Sequence, residues 1–331
     1  MKKIIKKSIM VFAVAALLIA SLSGCGKSGG SGVSGSGTRI LMTLHDDTDT
    51  FLNTLVEGMI PKASAMGITL DIVYCSGDPA IQKQQVEKAV ADKYDAIICR
   101  LADASTILQM EIAAVNTPIV FINNEPSSDY LKGDKFIYVG SYEQDAGRFQ
   151  AEYIWNGLGK PSSLNVIILK GMAGHAAVPQ RTDAVKYFFK DNNVNVNYVF
   201  VDHGDWSDTV AYDRLETFKL TKQPFDCIIA NNDPMALGAI NWLKDNGYDT
   251  HKILVAGIDA TASGCDAIRS GDLYMTVLQD TAKQGEAALE SAVTLAKGKS
   301  VSTLDGATED LKYVWVPFVP ITPQNIDEHI H

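Results

Sequence analysis

From Arg39 onward, short β-rich runs alternate with longer stretches of helical period, a rhythm that restricts the chain to parallel sheet covered on both faces by helices. Strands are predicted over residues 39–44, 69–74, 95–99 and 118–122, and the rhythm then repeats over 165–169, 196–201, 226–230, 253–257 and 273–278. Two rounds of one pattern predict an α/β fold of two doubly wound parallel-sheet domains. The length agrees, because 331 residues exceed the size at which a single core usually stops growing.

In open parallel sheets, ligands bind beyond the carboxyl ends of the strands, where the connecting loops diverge. Here those loops carry polar and aromatic groups: His45, Asp49 and Phe51 after the first strand, Arg100 after the third, and Asn123-Asn124-Glu125 after the fourth. In the second half they carry His175, Arg181, Trp206, Asn232, Asp259 and Gln279. Sugar hydroxyls both donate and accept, so carboxylates, amides and guanidinium groups match them, while a flat ring covers the apolar face of a pyranose. The set suits a neutral polyol. Each residue also has an ordinary explanation: Asp49 and Asp208 as helix N-caps (preferred for Asp208), Trp206 as core, His175 as a polar loop residue, Arg181 as a surface ion pair. Met235, Leu237 and Ile240 read as the buried face of a helix. Position after successive strands is what favours a site.

Other chemistries find little support. Residues 30–35 match GxGxxG, but they precede the first strand, whereas a dinucleotide fingerprint follows a strand and opens a helix. No P-loop, nucleophile elbow or HExxH is present, so neither a cofactor nor a catalytic role is expected. Cys75, Cys99, Cys227 and Cys265 lack metal-ligand spacing, leaving buried thiols as the default and any disulfide pairing open. An enzyme using Asp49 and Asp259 as a carboxylate pair remains the catalytic alternative.

The start of the chain points outside the cell. Lys2, Lys3, Lys6 and Lys7 precede an apolar run over residues 9–20, which is the pattern of a signal peptide and is too short for a membrane span. Leu22-Ser23-Gly24-Cys25 resembles a lipoprotein processing site, making Cys25 the expected lipidation point and residues 25–37, rich in Gly and Ser, a flexible tether. Removing residues 1–24 takes four lysines and deepens the formal charge from −10 to −14, which argues against nucleic acid as a partner.

Four segments carry a resemblance to a known family: Phe121-Ile122-Asn123-Asn124-Glu125-Pro126, Leu169-Lys170-Gly171-Met172-Ala173-Gly174-His175, Ala230-Asn231-Asn232-Asp233-Pro234-Met235-Ala236-Leu237-Gly238-Ala239 and Gly257-Ile258-Asp259-Ala260. They are similar to the periplasmic galactose/glucose-binding proteins of the pentose/hexose branch, over residues 38–318. The resemblance implies that Asp49 accepts from sugar hydroxyls, that Phe51 and Trp206 sandwich the ring, and that His175, Arg181, Asn232 and Asp259 hold its oxygens. The chain departs from the family at His45, Arg100, Ala177 and Gln279, where a tyrosine, an amide, a carboxylate and an asparagine are usual. A pentose or furanose sugar therefore stands beside galactose and glucose. The calcium loop of some relatives is missing from residues 156–163, which contain no carboxylate, and no metal is expected there.

The chain thus divides into an expected signal peptide over 1–24 and a lipid-anchored tether over 25–37, and the resemblance implies one lobe from 38–124 with 280–310 and another from 125–279 with 311–331. Three chain crossings join the lobes, and the partners are a monosaccharide, an ABC permease with its ATPase, and the outer face of the membrane through lipid alone. An extracellular sugar-sensing subunit for a membrane receptor or kinase is the alternative.

Overall fold

The computed structural model describes residues 37–48 and 50–329. The expected leader, the tether with Cys25, and Asp49 lie outside the described residues. The chain opens with β1 (Arg39–Leu44), α1 (Thr50–Ala65), β2 (Thr69–Tyr74), α2 (Pro79–Ala91), β3 (Ala96–Cys99), α3 (Ile107–Ala114), β4 (Ile119–Ile122) and β5 (Phe136–Gly140). All five strands pair in parallel in one sheet. Alternation along the strands builds two cores from it, since successive side chains point to opposite faces. Ile40, Met42 and Ile98 pack with Leu55 and Met59 of α1, while Leu41, Ile97 and Cys99 pack with Val86 of α2 and Met110 of α3.

The chain then crosses to a second sheet through α4 (Glu143–Gly157), β6 (Ser163–Lys170), α5 (Ala177–Asp191), β7 (Asn195–His203), α6 (Asp208–Lys219), β8 (Cys227–Ala230), α7 (Asp233–Asp245), β9 (Leu254–Ala256), α8 (Ala262–Ser270) and β10 (Thr276–Leu278). Strands β7, β6, β8 and β9 form a parallel sheet in that order. Val166, Ile168 and Ile229 face α4 and α5 through Ile154, Val185 and Phe189, and Ile167, Leu169 and Ile228 face α6 and α7 through Leu215, Ala239 and Trp242.

Helix α9 (Thr281–Ala296) returns to the first lobe, where Ala288, Leu289 and Ala292 join the core of β1 and α1. β11 (Tyr313–Trp315) pairs with β5, and β12 (Val319–Ile321) pairs antiparallel with β10 before the short α10 (Ile326–His329). Three segments thus cross between the lobes: between β5 and α4, between β10 and α9, and between β11 and β12.

Sheet membership places the crossings differently from the expected boundaries. Residues 125–140 stay with the first lobe because β5 pairs with β4, and residues 313–315 return to it because β11 pairs with β5. The sequence rhythm hides this because no helix separates β4 from β5: residues 123–135 form turns and bends, and the helical interval that marked every earlier strand is missing.

All four described cysteines are free and buried. Cys75 follows β2 and Cys99 ends β3, with β1 lying between those strands. Two strand spacings amount to about 9.6 Å, beyond the reach of a disulfide without backbone movement.

Candidate functional site

Loops at the carboxyl ends of both sheets approach one another, Asn124 after β4 bonding the start of α5, and several of them contain left-handed backbone. Asn123, Asp205, Trp206, Asp259 and Ala260 all have positive φ (60°, 51°, 63°, 111° and 49°) although none is glycine. Such conformations cost free energy and persist where the surroundings enforce them, as at ligand sites.

Arg181 organises the second-lobe side. It projects from the second turn of α5, is 4 % exposed, and donates from Nε to Glu143 Oε2 at 2.6 Å, from Nη1 to the Asn231 carbonyl at 2.6 Å and from Nη2 to Gln279 Oε1 at 3.2 Å. The first crossing, the loop after β8 and the second crossing are thereby tied to one guanidinium. Its carbon CZ also lies 5.9 Å from the centre of the Trp206 ring. The ordinary reading of Arg181 as a surface ion pair is thus corrected: the pair is buried.

Trp206 lies across Gly171. A Cβ at that glycine would fall 2.0 Å from the indole, so only glycine lets the ring settle there. His175 meets the same indole edge-on at 5.4 Å. Burial and the nearby charges of Arg100, Arg181 and His45 lower the His175 pKa to about 3. The imidazole is therefore neutral at physiological pH. Its Nδ1 accepts from the Ala177 amide at 3.2 Å, which leaves the proton on Nε2 as a donor.

From the first lobe, Arg100 donates from Nε to Asn123 Oδ1 at 3.2 Å and from Nη1 to the Leu101 carbonyl at 3.0 Å. His45 contacts the Asp46 carboxylate through Nδ1. Phe51 occupies the first turn of α1 and packs on the first-lobe core. Asn232 serves the fold directly, since its Oδ1 caps α7 by accepting from Met235 N at 3.1 Å and its Nδ2 donates to the Trp206 carbonyl at 3.4 Å. Asp259 stands half-buried beside β10, its amide bonded to the Val277 carbonyl at 2.8 Å. The structure therefore gathers His175, Arg181, Trp206 and Gln279 into one contact network and sets Arg100, Asn232 and Asp259 around it. Asp208 is displaced from its expected role, because Ser207 caps α6 by accepting from Val210 N at 3.3 Å.

Sequence reasoning passed over Glu143, Asn231 and Asp233. Asp233 is fully buried, accepting from Thr276 Oγ1 at 2.6 Å, Thr261 N at 2.8 Å and Thr261 Oγ1 at 3.1 Å, and so fixes the loop that carries Asp259. Gly257 and Gly264 make room for it, since a Cβ at either would lie 2.2 Å from its oxygens. Burial outweighs these donors and pushes the carboxyl up to about 7. An unfolded aspartate titrates at about pH 3.9, so between about pH 4 and 7 the folded chain holds a proton that the unfolded chain has lost. The stability from this group is full below that window and disappears as pH rises through it. Melting temperatures across pH 4 to 7 should fall more steeply for the parent than for Asp233→Asn, and parallel profiles would contradict a buried, protonated carboxyl.

Among the described residues no group of three His, Cys, Asp or Glu converges to hold a metal. Two doubly wound lobes joined by three crossings, with polar loops meeting between them, define a solute receptor of the type I architecture, not an enzyme. The chain belongs to the periplasmic binding protein domain family, whose model matches residues 40–300. It is 30 % identical to a Rhizobium meliloti protein described as rhizopine-binding, over 85 % of this chain and 88 % of that one. It is 28 % identical to the D-galactose/methyl-galactoside binding periplasmic protein of Haemophilus influenzae, over 88 % and 92 %. An ABC transporter solute binding protein of Bacillus halodurans, solved with bound myo-inositol, superposes with a TM-score of 0.77 at 27 % identity, covering 89 % of this chain and 98 % of its own.

Proposed function

We propose that the protein is the extracytoplasmic sugar-binding component of an ABC importer, anchored to the outer face of the membrane through lipid on Cys25, and that it closes its two lobes over a monosaccharide or a cyclic polyol. The observation that carries this reading is that the Arg100 guanidinium of one lobe acts on His175 of the other, whose ring packs on Trp206 beside Arg181. Ligand bridges both lobes, which makes the closed form the one it stabilises and the form a permease recognises. Phe51 and Trp206 supply the ring faces, and Asp259 and Gln279 face the hydroxyls.

Ligand choice follows from the donors. Ala177, 2 % exposed, follows His175 by two positions and carries no acceptor, while His175 Nε2 and the Arg100 guanidinium only donate. The cleft therefore favours a solute with acceptors at that end, and it has no need of an anomeric hydroxyl there. The relatives named for rhizopine and galactose, and the neighbour holding myo-inositol, bracket this class.

A thermal-shift panel of galactose, glucose, ribose, arabinose, xylitol, allose and myo-inositol tests the proposal, because a solute at 100 times its dissociation constant stabilises by about 2.7 kcal/mol. At least one member should raise the melting temperature, and silence across the panel would sink the reading. In the same panel Ala177→Asp/Arg100→Asn should move the preference toward galactose or glucose by about tenfold. An unchanged ranking would show that these two positions do not set specificity.

A further inference from the structure

Helix α5 starts without a cap of its own. Its N-cap residue is Ala176, which has no side-chain oxygen; the neighbouring His175 serves the Ala177 and Val178 amides, and the Ala176 amide is satisfied from elsewhere. His175 Nδ1 accepts from Ala177 N, and Asn124 Oδ1 accepts from Ala176 N at 3.3 Å. Asn124 belongs to the other lobe: it follows β4, and its Nδ2 donates to the Leu101 carbonyl at 3.2 Å. The next residue, Glu125, accepts from Gln180 Nε2 at 2.9 Å, one turn into α5. A carboxylate there also complements the positive end of the helix dipole.

Asn123, one residue earlier, holds the Arg100 side chain. Three consecutive first-lobe residues thus join a first-lobe site residue to the second-lobe helix that carries Arg181. The bodies they bridge are otherwise connected in sequence only by the three crossings, so parting α5 from the β4 loop breaks both bonds and leaves the Ala176 amide at the helix start without its acceptor, while His175 goes on holding the next two amides.

We propose that Asn124 and Glu125 form a closure latch, a helix cap and a carboxylate–amide bond supplied from the opposite lobe that hold the cleft shut over the solute and set its release rate. The latch rests on the receptor reading above. Asn124 and Glu125 are positioning residues: they act through α5.

Two variants test it: Asn124→Ala/Glu125→Gln, which removes the cap and the carboxylate charge, and Gln180→Ala, which breaks only the Glu125 bond. In stopped-flow with galactose, ribose and myo-inositol as probes, the double variant should release solute about tenfold faster and Gln180→Ala about threefold faster, with association rates unchanged. Hydrogen exchange of the solute-free protein gives a readout that needs no ligand. The Ala176 amide should exchange faster in the double variant but not in Gln180→Ala, which leaves its acceptor in place. If no probe binds, the receptor reading fails while exchange still decides the latch. Parental exchange at the Ala176 amide, or release that stays parental while association slows, overturns it.

Discussion

Replacing Arg181 with alanine should lower the stability of the protein by about 3–5 kcal/mol and abolish solute binding. The substitution leaves the Glu143 carboxylate, 3 % exposed, without its counter-charge, and strips donors from the Asn231 carbonyl and from Gln279. An uncompensated buried charge costs several kcal/mol, which is why breaking such a pair is worse than replacing it entirely. Arg181→Met/Glu143→Leu should therefore recover much of the stability while failing to recover binding. Denaturant unfolding and calorimetry on both variants separate the two effects. Parental stability in Arg181→Ala would contradict the buried pair, and parental affinity in the double variant would remove Arg181 from the site.

Trp206→Ala should weaken solute binding by about 1–3 kcal/mol and leave the solute-free melting temperature nearly unchanged. The indole sits at the edge of the second-lobe core, half-buried, with its backbone held in the left-handed region. Gly171→Ala should weaken binding in the same direction without altering any group that faces solute, because its Cβ would have to displace the ring from 2.0 Å away. Unchanged affinity in both variants would rule out a stacking role. A large fall in melting temperature for Trp206→Ala would make the ring a core anchor instead.

What could be seen in the sequence was what depends on local period and position. Burial of both sheet faces imposes apolar strands, so β1 to β4 and β6 to β9 stood out, and the loops after them held the site candidates. β5 and β11 escaped because a parallel strand joined without a helix, and a three-residue strand far along the chain, leave no periodic trace. Partnership was equally hidden. Arg181 and Glu143 are 38 positions apart, and neither residue type reveals whether a pair will be buried or exposed. Asn232 illustrates the converse: a polar residue after a strand looks like a ligand contact, yet the same position begins a helix, and the cap takes the amide's oxygen. The cap of α5 from Asn124 could not be foreseen at all, since Ala176 gives no local signal and the acceptor comes from the opposite lobe.

Isothermal titration of the purified protein with the solute that scores highest in the thermal panel tests the central claim most directly. One solute should bind per chain and be recovered chemically unchanged, with small-angle scattering showing the two lobes drawing together as the titration saturates. Heat from no member of the panel, or a solute that emerges chemically altered, would contradict a receptor that closes on its solute without chemistry.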